Sequence, residues 1–471
     1  MSQPTRTAGT YQNPVYDRNF PDPFVLRFNG RYYAYATDYA PDGRAMQMLT
    51  SRDLVHWEPR GGVLDPLKFP DKEDYWAPEV AYSEGRFYLY YALGNGESPD
   101  HHLRVAVAEH PLGPWRDCDV DLTPTEAFAI DGHPFRDPRD GQWYLFYARD
   151  WLTPPFSGTG LVVDRLITMD RLAGERQEVL RPYADWQVFE LERAIKGNLD
   201  WYTVEGPFVL PVGDRYCLLY SGGRWENPNY GVAYAFADHP FGPWVDDANA
   251  TGPQVLRTDP GRVIGPGHNS VVLGPDLQSQ WMVYHGWDHE CTARYPRIDR
   301  LVWHDGRPAC AGPTSTPQPA PRMPDYLSWF DEAPPGDEWS GAAGWERGEE
   351  GLQSRGDRSI LELEEPQDRF VLECSGRATQ SGGRWGAAVG DLEVWIADGK
   401  LRVGSASAAL PAGFRAEAWH TLTVRRSGEQ LVATLDECPT VRVGLPAGKR
   451  RIRLQGVGVE LAHAALARRE D

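Results

Sequence analysis

An all-β architecture, a five-bladed β-propeller followed by a β-sandwich of jelly-roll type, is what this 471-residue sequence predicts. Three observations carry that expectation. A turn followed by an aromatic-rich strand recurs five times: RYYAYATD from Arg31, RFYLYYALG from Arg86, QWYLFYARD from Gln142, RYCLLYSGG from Arg215 and QWMVYHGWD from Gln280. A second turn recurs almost unchanged, as HPLGPW at His110 and HPFGPW at His239. After a stretch rich in proline and small polar residues, short alternating strands return without the fivefold phrase. Repetition at two places in one unit marks a radial array of supersecondary units rather than a continuous sheet.

Residues 1–306 form the expected propeller. The five phrases begin 55, 56, 73 and 65 residues apart, which leaves room for several short strands per unit and for long connecting loops. Ahead of each phrase lies another strand with a polar residue near its start. These are Asp22 in FPDPFVL, Glu79 in WAPEVAY, Asp131 in AIDGHPF, Glu205 in VEGPFVL and His268 in GPGHNSV. In a radial arrangement, equivalent positions point at one axis, so carboxylates and a histidine are expected to meet there. Outer strands are read at AMQMLTS, LRVAVAEH, GLVVDRL and GVAYAFADH. His110 and His239 recur with the architecture and read as turn residues. His285, inside MVYHGWD, reads as packing. Residues 151–200 form a long insertion ahead of the fourth unit, placed to carry specificity.

Residues 307–336, containing PACAGPTSTPQPAPRMPD, read as an extended linker. Residues 337–471 read as a two-sheet sandwich built from RFVLECSGR, DLEVWIADGKLRVG, HTLTVRRSGEQLVATLD and KRRIRLQGVGVELAHAAL. The dipeptides Asp398-Gly399 and Ser427-Gly428 supply the turns between them. This part holds 21 acidic and 18 basic residues, so most of the net charge of −19 belongs to the propeller. That charge argues against nucleic acid or an anionic membrane as partner, since both require a basic patch. Aromatic residues make up 12% of the chain and suit both sheet faces and the stacking of sugar rings. Cys118, Cys217, Cys291, Cys310, Cys374 and Cys438 are scattered without a CxxC pair, so free thiols are expected rather than zinc or a disulfide framework. The leading MSQPTRTAGTYQNP lacks the apolar run of a signal peptide, and a cytoplasmic location is expected.

Converging carboxylates are what glycoside hydrolysis requires. Cleavage with inversion needs one carboxylic acid to protonate the leaving oxygen and one carboxylate to activate water on the opposite face. A third carboxylate beside the acid raises its pKa, because two negative charges at short range resist joint ionisation.

In their order and strand context, NPVYDRNFPDPFVL, AIDGHPF and TVEGPFVL resemble the motifs of glycoside hydrolase family 43, over residues of about 11 to 306. The resemblance implies a five-bladed propeller acting with inversion, with Asp22 as general base, Asp131 as the residue that tunes and orients the acid, and Glu205 as general acid. The family often has proline after the second aspartate, where this chain has Gly132. The resemblance also places Trp76 as a sugar platform and Glu79 either at the pocket or in hydrogen bonds that hold the blade together. It places Arg294 or Arg297 against the sugar. It leaves His268 either beside an axial cation, such as a structural calcium held mainly through water, or bonded to a carboxylate or the sugar. The resemblance makes the sandwich concanavalin-like, either binding polysaccharide or packing on the propeller and closing one side of the pocket, the second being favoured. The implied substrate is an arabinose- or xylose-containing oligosaccharide, cut by an α-L-arabinofuranosidase, with β-xylosidase and endo-arabinanase as alternatives; no catalytic cofactor is required. A non-catalytic carbohydrate-binding propeller would not need acidic groups at matching axial positions, and a phosphorylase would need a basic site where Asp22 stands.

Overall fold

The computed structural model describes residues 9–469, apart from residues 70, 71, 97, 247–249 and 357. Helix among the described residues is confined to three 3-10 turns, Asp185–Gln187, Ala194–Lys196 and Ala342–Gly344. Five antiparallel blades follow one another in chain order. Their innermost strands are Phe24–Phe28, Asp74–Ser83, Ala129–Arg136, Leu199–Val212 and Ile264–Leu273. The aromatic phrases supply the strands beside them, Arg31–Tyr39, Arg86–Asn95, Trp143–Trp151, Arg215–Gly222 and Gln280–Trp287. These second strands are covered on both faces by neighbouring blades, which is why they are aromatic throughout: Tyr32, Tyr35, Tyr90, Tyr91, Tyr220 and Tyr284 are all fully buried. Buried phenols need acceptors, and they find backbone carbonyls such as Pro111 for Tyr35 and Met169 for Tyr90.

Each inner strand is interrupted, or in blade 1 preceded, at the matching place by a residue in the left-handed region. These residues are Asp22 (φ 53°), Ala77 (45°), Asp131 (60°), Gly206 (56°) and His268 (49°). In blades 2 to 5, strand pairing slips at this point, so each carries a bulge that resets the alternation of side chains. The five polar residues expected at one equivalent position therefore occupy three. Asp22, Asp131 and His268 are the left-handed residues themselves, Glu205 precedes Gly206 by one, and Glu79 follows Ala77 by two. Aspartate and histidine tolerate this conformation better than most residues, and glycine best of all. Side chains of the preceding blade cap the freed amides: Thr37 Oγ1 accepts from Ala77, Ser221 Oγ from His268, and His285 Nδ1 from Asp22.

His110 and His239 are turn residues, each accepting through Nδ1 the N–H two positions on, at 3.1 Å. Gly158 and Thr159 pair in parallel with Tyr202 and Thr203, so the 151–200 insertion joins blades 3 and 4. Its strand Val188–Arg193 lines the part of the blade 4 inner strand that leads into Glu205. Of residues 307–336, expected as linker, Arg307–Cys310 is the fourth strand of blade 5, Gln318–Pro319 pairs with Thr10–Tyr11, and Tyr326–Trp329 adds to a sandwich sheet.

The C-terminal part is a sandwich of an eight-stranded and a seven-stranded sheet around a core that includes Leu372, Trp385, Leu422 and Leu454. It packs on the propeller, but not beside the pocket. Arg27 Nη1 donates to both oxygens of Glu373 at 2.7 Å, and Arg31 and Arg52 lie over Trp329. Glu84 accepts the N–H of Arg415, and Leu277 packs on Val371 and Ala465. All these propeller residues lie at the far ends of the strands from Asp22, with Arg27 five residues or about 17 Å along the strand. The expectation that the sandwich closes the pocket is overturned, because it covers the opposite rim.

The fit at that joint is close: a Cβ on Gly30 would fall 2.5 Å from His463 Cδ2, and Gly30 is itself left-handed. Burial alone would raise the carboxyl of Glu373, but Arg27 outweighs it and holds the group at about 2. A carboxyl depressed on folding contributes stability above its unfolded pKa, and that contribution is lost as pH falls through the folded value. The joint should therefore weaken from about pH 4.5 downward to about 2. Glu373→Ala leaves Arg27 buried and unpaired and is expected to cost about 3–5 kcal/mol, read as a lower melting temperature at neutral pH. An unchanged melting curve would show that the pair does not hold the domains together.

Candidate active site

At the opposite rim, four of the expected residues converge. Asp22 sits between Pro21 and Pro23, whose rings restrict the backbone on both sides of the left-handed residue. Its Oδ1 accepts Arg294 Nη1 at 2.8 Å, and its Oδ2 accepts the Thr37 hydroxyl at 2.7 Å. His285 Nδ1 lies 3.2 Å and His268 Nδ1 3.6 Å from Oδ1. Burial alone would raise this carboxyl, but Arg294, followed by His268 and His285, holds it well below the usual range. His285 is buried, and burial pushes its imidazole down to about 4, so it faces Asp22 uncharged.

Asp131 and Glu205 are pushed the other way. Asp131 is buried and its Oδ2 accepts the N–H of Gly206 at 2.9 Å. Burial raises its carboxyl against the pull of His268, and the charge of Asp22 adds to the rise. Glu205 is only partly buried, with Oε1 accepting the Tyr230 hydroxyl at 2.7 Å. Burial and then the charge of Asp131 raise it, outweighing His268 and Tyr230, which both favour the ionised form. Asp131, Glu205 and His268 each present one polar atom within 4.8 Å of the others. Burial opposes charge on His268, but Asp131, Asp22 and Glu205 outweigh it and raise its pKa. The cluster thus displaces its carboxyls in opposite directions, Asp22 toward the ionised form and Glu205 toward the protonated one.

The remaining expected residues divide. Arg294 reaches Asp22 and lies 4.5 Å from the Trp225 ring, which stacks on Trp287. Arg297 does not join them: it is buried and donates to the Thr314 carbonyl. Three residues apart on one strand, the two arginines face opposite sides. Trp76 is partly buried and stacks on His101 at 3.8 Å. Glu79 is buried, with its Oε2 2.7 Å from His133 Nδ1, so it bonds one blade to the next. His285, read as packing, contacts Asp22 instead, and Thr37, Tyr230 and His133 went unread. The period-2 alternation of the second strands was the one signal for Thr37 and His285, whereas nothing local marks Tyr230.

Comparison with known proteins agrees with this geometry. The family model "Glycosyl hydrolases family 43" matches residues 11–308. The chain is 29% identical over 323 residues to "Beta-D-galactofuranosidase xynD" of Aspergillus niger, covering 64% of this chain and 85% of that protein. It is 28% identical over 295 residues to "Extracellular exo-alpha-(1->5)-L-arabinofuranosidase" of Streptomyces chartreusis, covering 58% and 82%. Among solved structures, a thermostable family-43 glycoside hydrolase superposes with a TM-score of 0.59 at 32% identity, covering 67% of this chain and all of that one. With the family model spanning the whole ring of blades and the paired carboxyls at its axis, the chain belongs to glycosyl hydrolase family 43 and is a glycoside hydrolase.

Proposed function

We propose that the enzyme is an exo-acting, inverting α-L-arabinofuranosidase, in which Asp22 activates water, Glu205 protonates the leaving oxygen and Asp131 keeps Glu205 protonated. The observation that carries this reading is the opposite displacement of the Asp22 and Glu205 carboxyls within one axial cluster. Arg294 and the Thr37 hydroxyl hold Asp22 ionised and oriented to take a proton from water. Tyr230 occupies Oε1 of Glu205, which leaves Oε2 to carry the proton that the leaving group receives. Both relatives are named for furanosides, and β-D-galactofuranose and α-L-arabinofuranose share the configuration of their ring carbons, which supports a furanoside substrate. The strand Val188–Arg193 pairs with the residues that lead into Glu205, which places the 151–200 insertion where it can shape the approach to a chain end.

The residues at the axis supply too few oxygens to ligate calcium directly, so a structural calcium there would be held mainly through water. Calcium takes six to eight oxygen ligands. Here a histidine nitrogen accompanies two carboxyls that already hold the Gly206 N–H and the Tyr230 hydroxyl.

The test is hydrolysis of 4-nitrophenyl α-L-arabinofuranoside and β-D-xylopyranoside side by side, with the anomer of the released sugar followed by NMR. Faster release from the arabinoside, with inversion, is expected. Faster release from the xyloside would replace the sugar and keep the mechanism, and retention would overturn the roles given to Asp22 and Glu205. Cleavage of neither, with activity on internal bonds of arabinan, would make the enzyme endo-acting.

A further inference from the structure

We propose that His133 is a positioning residue that sets the placement of Glu205 relative to Asp131; the inference rests on the reading of Glu205 as the general acid. His133 is buried and lies two residues beyond Asp131 on the inner strand of blade 3. Its Nε2 accepts the N–H of Val209 at 3.1 Å, and its Nδ1 lies 2.7 Å from Glu79 Oε2. An amide N–H can only donate, so Nε2 is the acceptor and the ring proton sits on Nδ1, donated to Glu79. The buried carboxylate on blade 2 thereby selects the tautomer with which blade 3 grips blade 4.

That grip has a partner. Asp131 Oδ2 accepts the N–H of Gly206 at 2.9 Å, so blade 3 holds blade 4 at two amides, one on each side of Pro207 and Phe208. Glu205 immediately precedes the first of these amides. Glu205 pairs with Ser221, but strand pairing slips between Glu205 and Phe208, so the ladder is interrupted immediately after Glu205, at Gly206 and Pro207. The two side-chain grips supply what the ladder lacks there. The equivalent position on blade 5 does the same work beside Asp22. Ser270 Oγ accepts the N–H of Val25 at 3.2 Å and donates to the Pro23 carbonyl at 3.0 Å. The chain therefore stitches blades at this layer where each flanks a residue given to the reaction, and next to the acid it uses an imidazole tied to a carboxylate.

The test compares two aryl glycosides of the preferred sugar. A phenyl glycoside needs its leaving oxygen protonated, whereas a dinitrophenyl glycoside departs as a stable phenolate and does not. His133→Phe keeps ring volume without either bond. It is expected to lower kcat on the phenyl glycoside at least about tenfold, within the range general acid catalysis contributes, while kcat on the dinitrophenyl glycoside stays within about twofold. The alkaline limb of the phenyl glycoside profile should move as well. His133→Gln, whose amide reaches the Nε2 position, should restore most of the loss. Equal losses on both glycosides, or none, would overturn the inference. If His133→Phe does not fold, as read by its melting curve, Glu79→Gln is expected to give the same split in smaller degree, and no split there overturns it. Glu205→Gln measured alongside keeps the two readings apart. A split for Glu205→Gln without one for the His133 and Glu79 variants defeats positioning alone, and no split for Glu205→Gln defeats the acid assignment and the inference with it.

Discussion

Glu205→Gln is expected to lower kcat on substrates with poor leaving groups by about 10²- to 10⁴-fold, the usual contribution of a positioned general acid. The substitution keeps the size of the side chain and an oxygen for the Tyr230 hydroxyl, so the fold should be unaffected. What disappears is the transferable proton. With Glu205 as the proposed acid, activity requires it protonated, and burial together with Asp131 raises its carboxyl, so the alkaline limb of kcat/KM should lie above the ordinary carboxylate range. The variant should lose that limb. A pH series from acid to mildly alkaline conditions, on the wild type and the variant, reads both effects at once. Retention of full activity and of the limb would remove Glu205 from the mechanism.

Asp22→Asn is expected to be as damaging, by about 10²- to 10⁴-fold, but on every substrate irrespective of leaving group. An amide cannot take the proton of the attacking water. Arg294 and the neighbouring histidines hold the wild-type carboxyl below its usual range, so the group remains a base when pH falls. Activity needs Asp22 ionised, hence it is present above the folded pKa and lost below it, and the acid limb should lie below the ordinary range for aspartate. Comparable loss on phenyl and dinitrophenyl glycosides would separate the base from the acid. A loss confined to the phenyl glycoside would mean that the two roles have been exchanged.

The blades were legible because each second strand is buried on both faces and must be written in aromatic and branched residues. The three carboxyls were legible through their motifs and their order along the chain. The register of the inner strands was not. Only Gly206 advertises a left-handed residue. Ala77 gives no sign of one, so Glu79 read as the equal of Asp22 although it lies two residues away from the matching position. Arg294 and Arg297 show the same limit: alternation separates them but does not say which one faces the axis. The roles of His285 and Tyr230 depend on what stands opposite them in the folded chain, and no local pattern encodes a neighbour 25 or more residues distant. The site of sandwich docking, at Arg27 and Glu373, is hidden for the same reason.

The junction between the last blade and the first has a consequence for how heat would act on this enzyme. Blades 1 and 5 share no strand; each is its own four-stranded sheet. What fastens them is the segment of residues 13–20 laid along blade 5, with Val15 and Phe20 donating to the carbonyls of Pro296 and Arg294. The bonds from Arg294, His285 and Ser270 to Asp22 and its neighbours complete the seam. A ring held by such contacts is expected to open first at its seam, and here the seam runs through Asp22, the carboxylate proposed to activate water. A small thermal parting draws Arg294 and His285 away from Asp22 while every blade keeps its own hydrogen-bonded sheet. Competence for the reaction is therefore the first property that loosening removes, and the ring outlasts the chemistry it hosts.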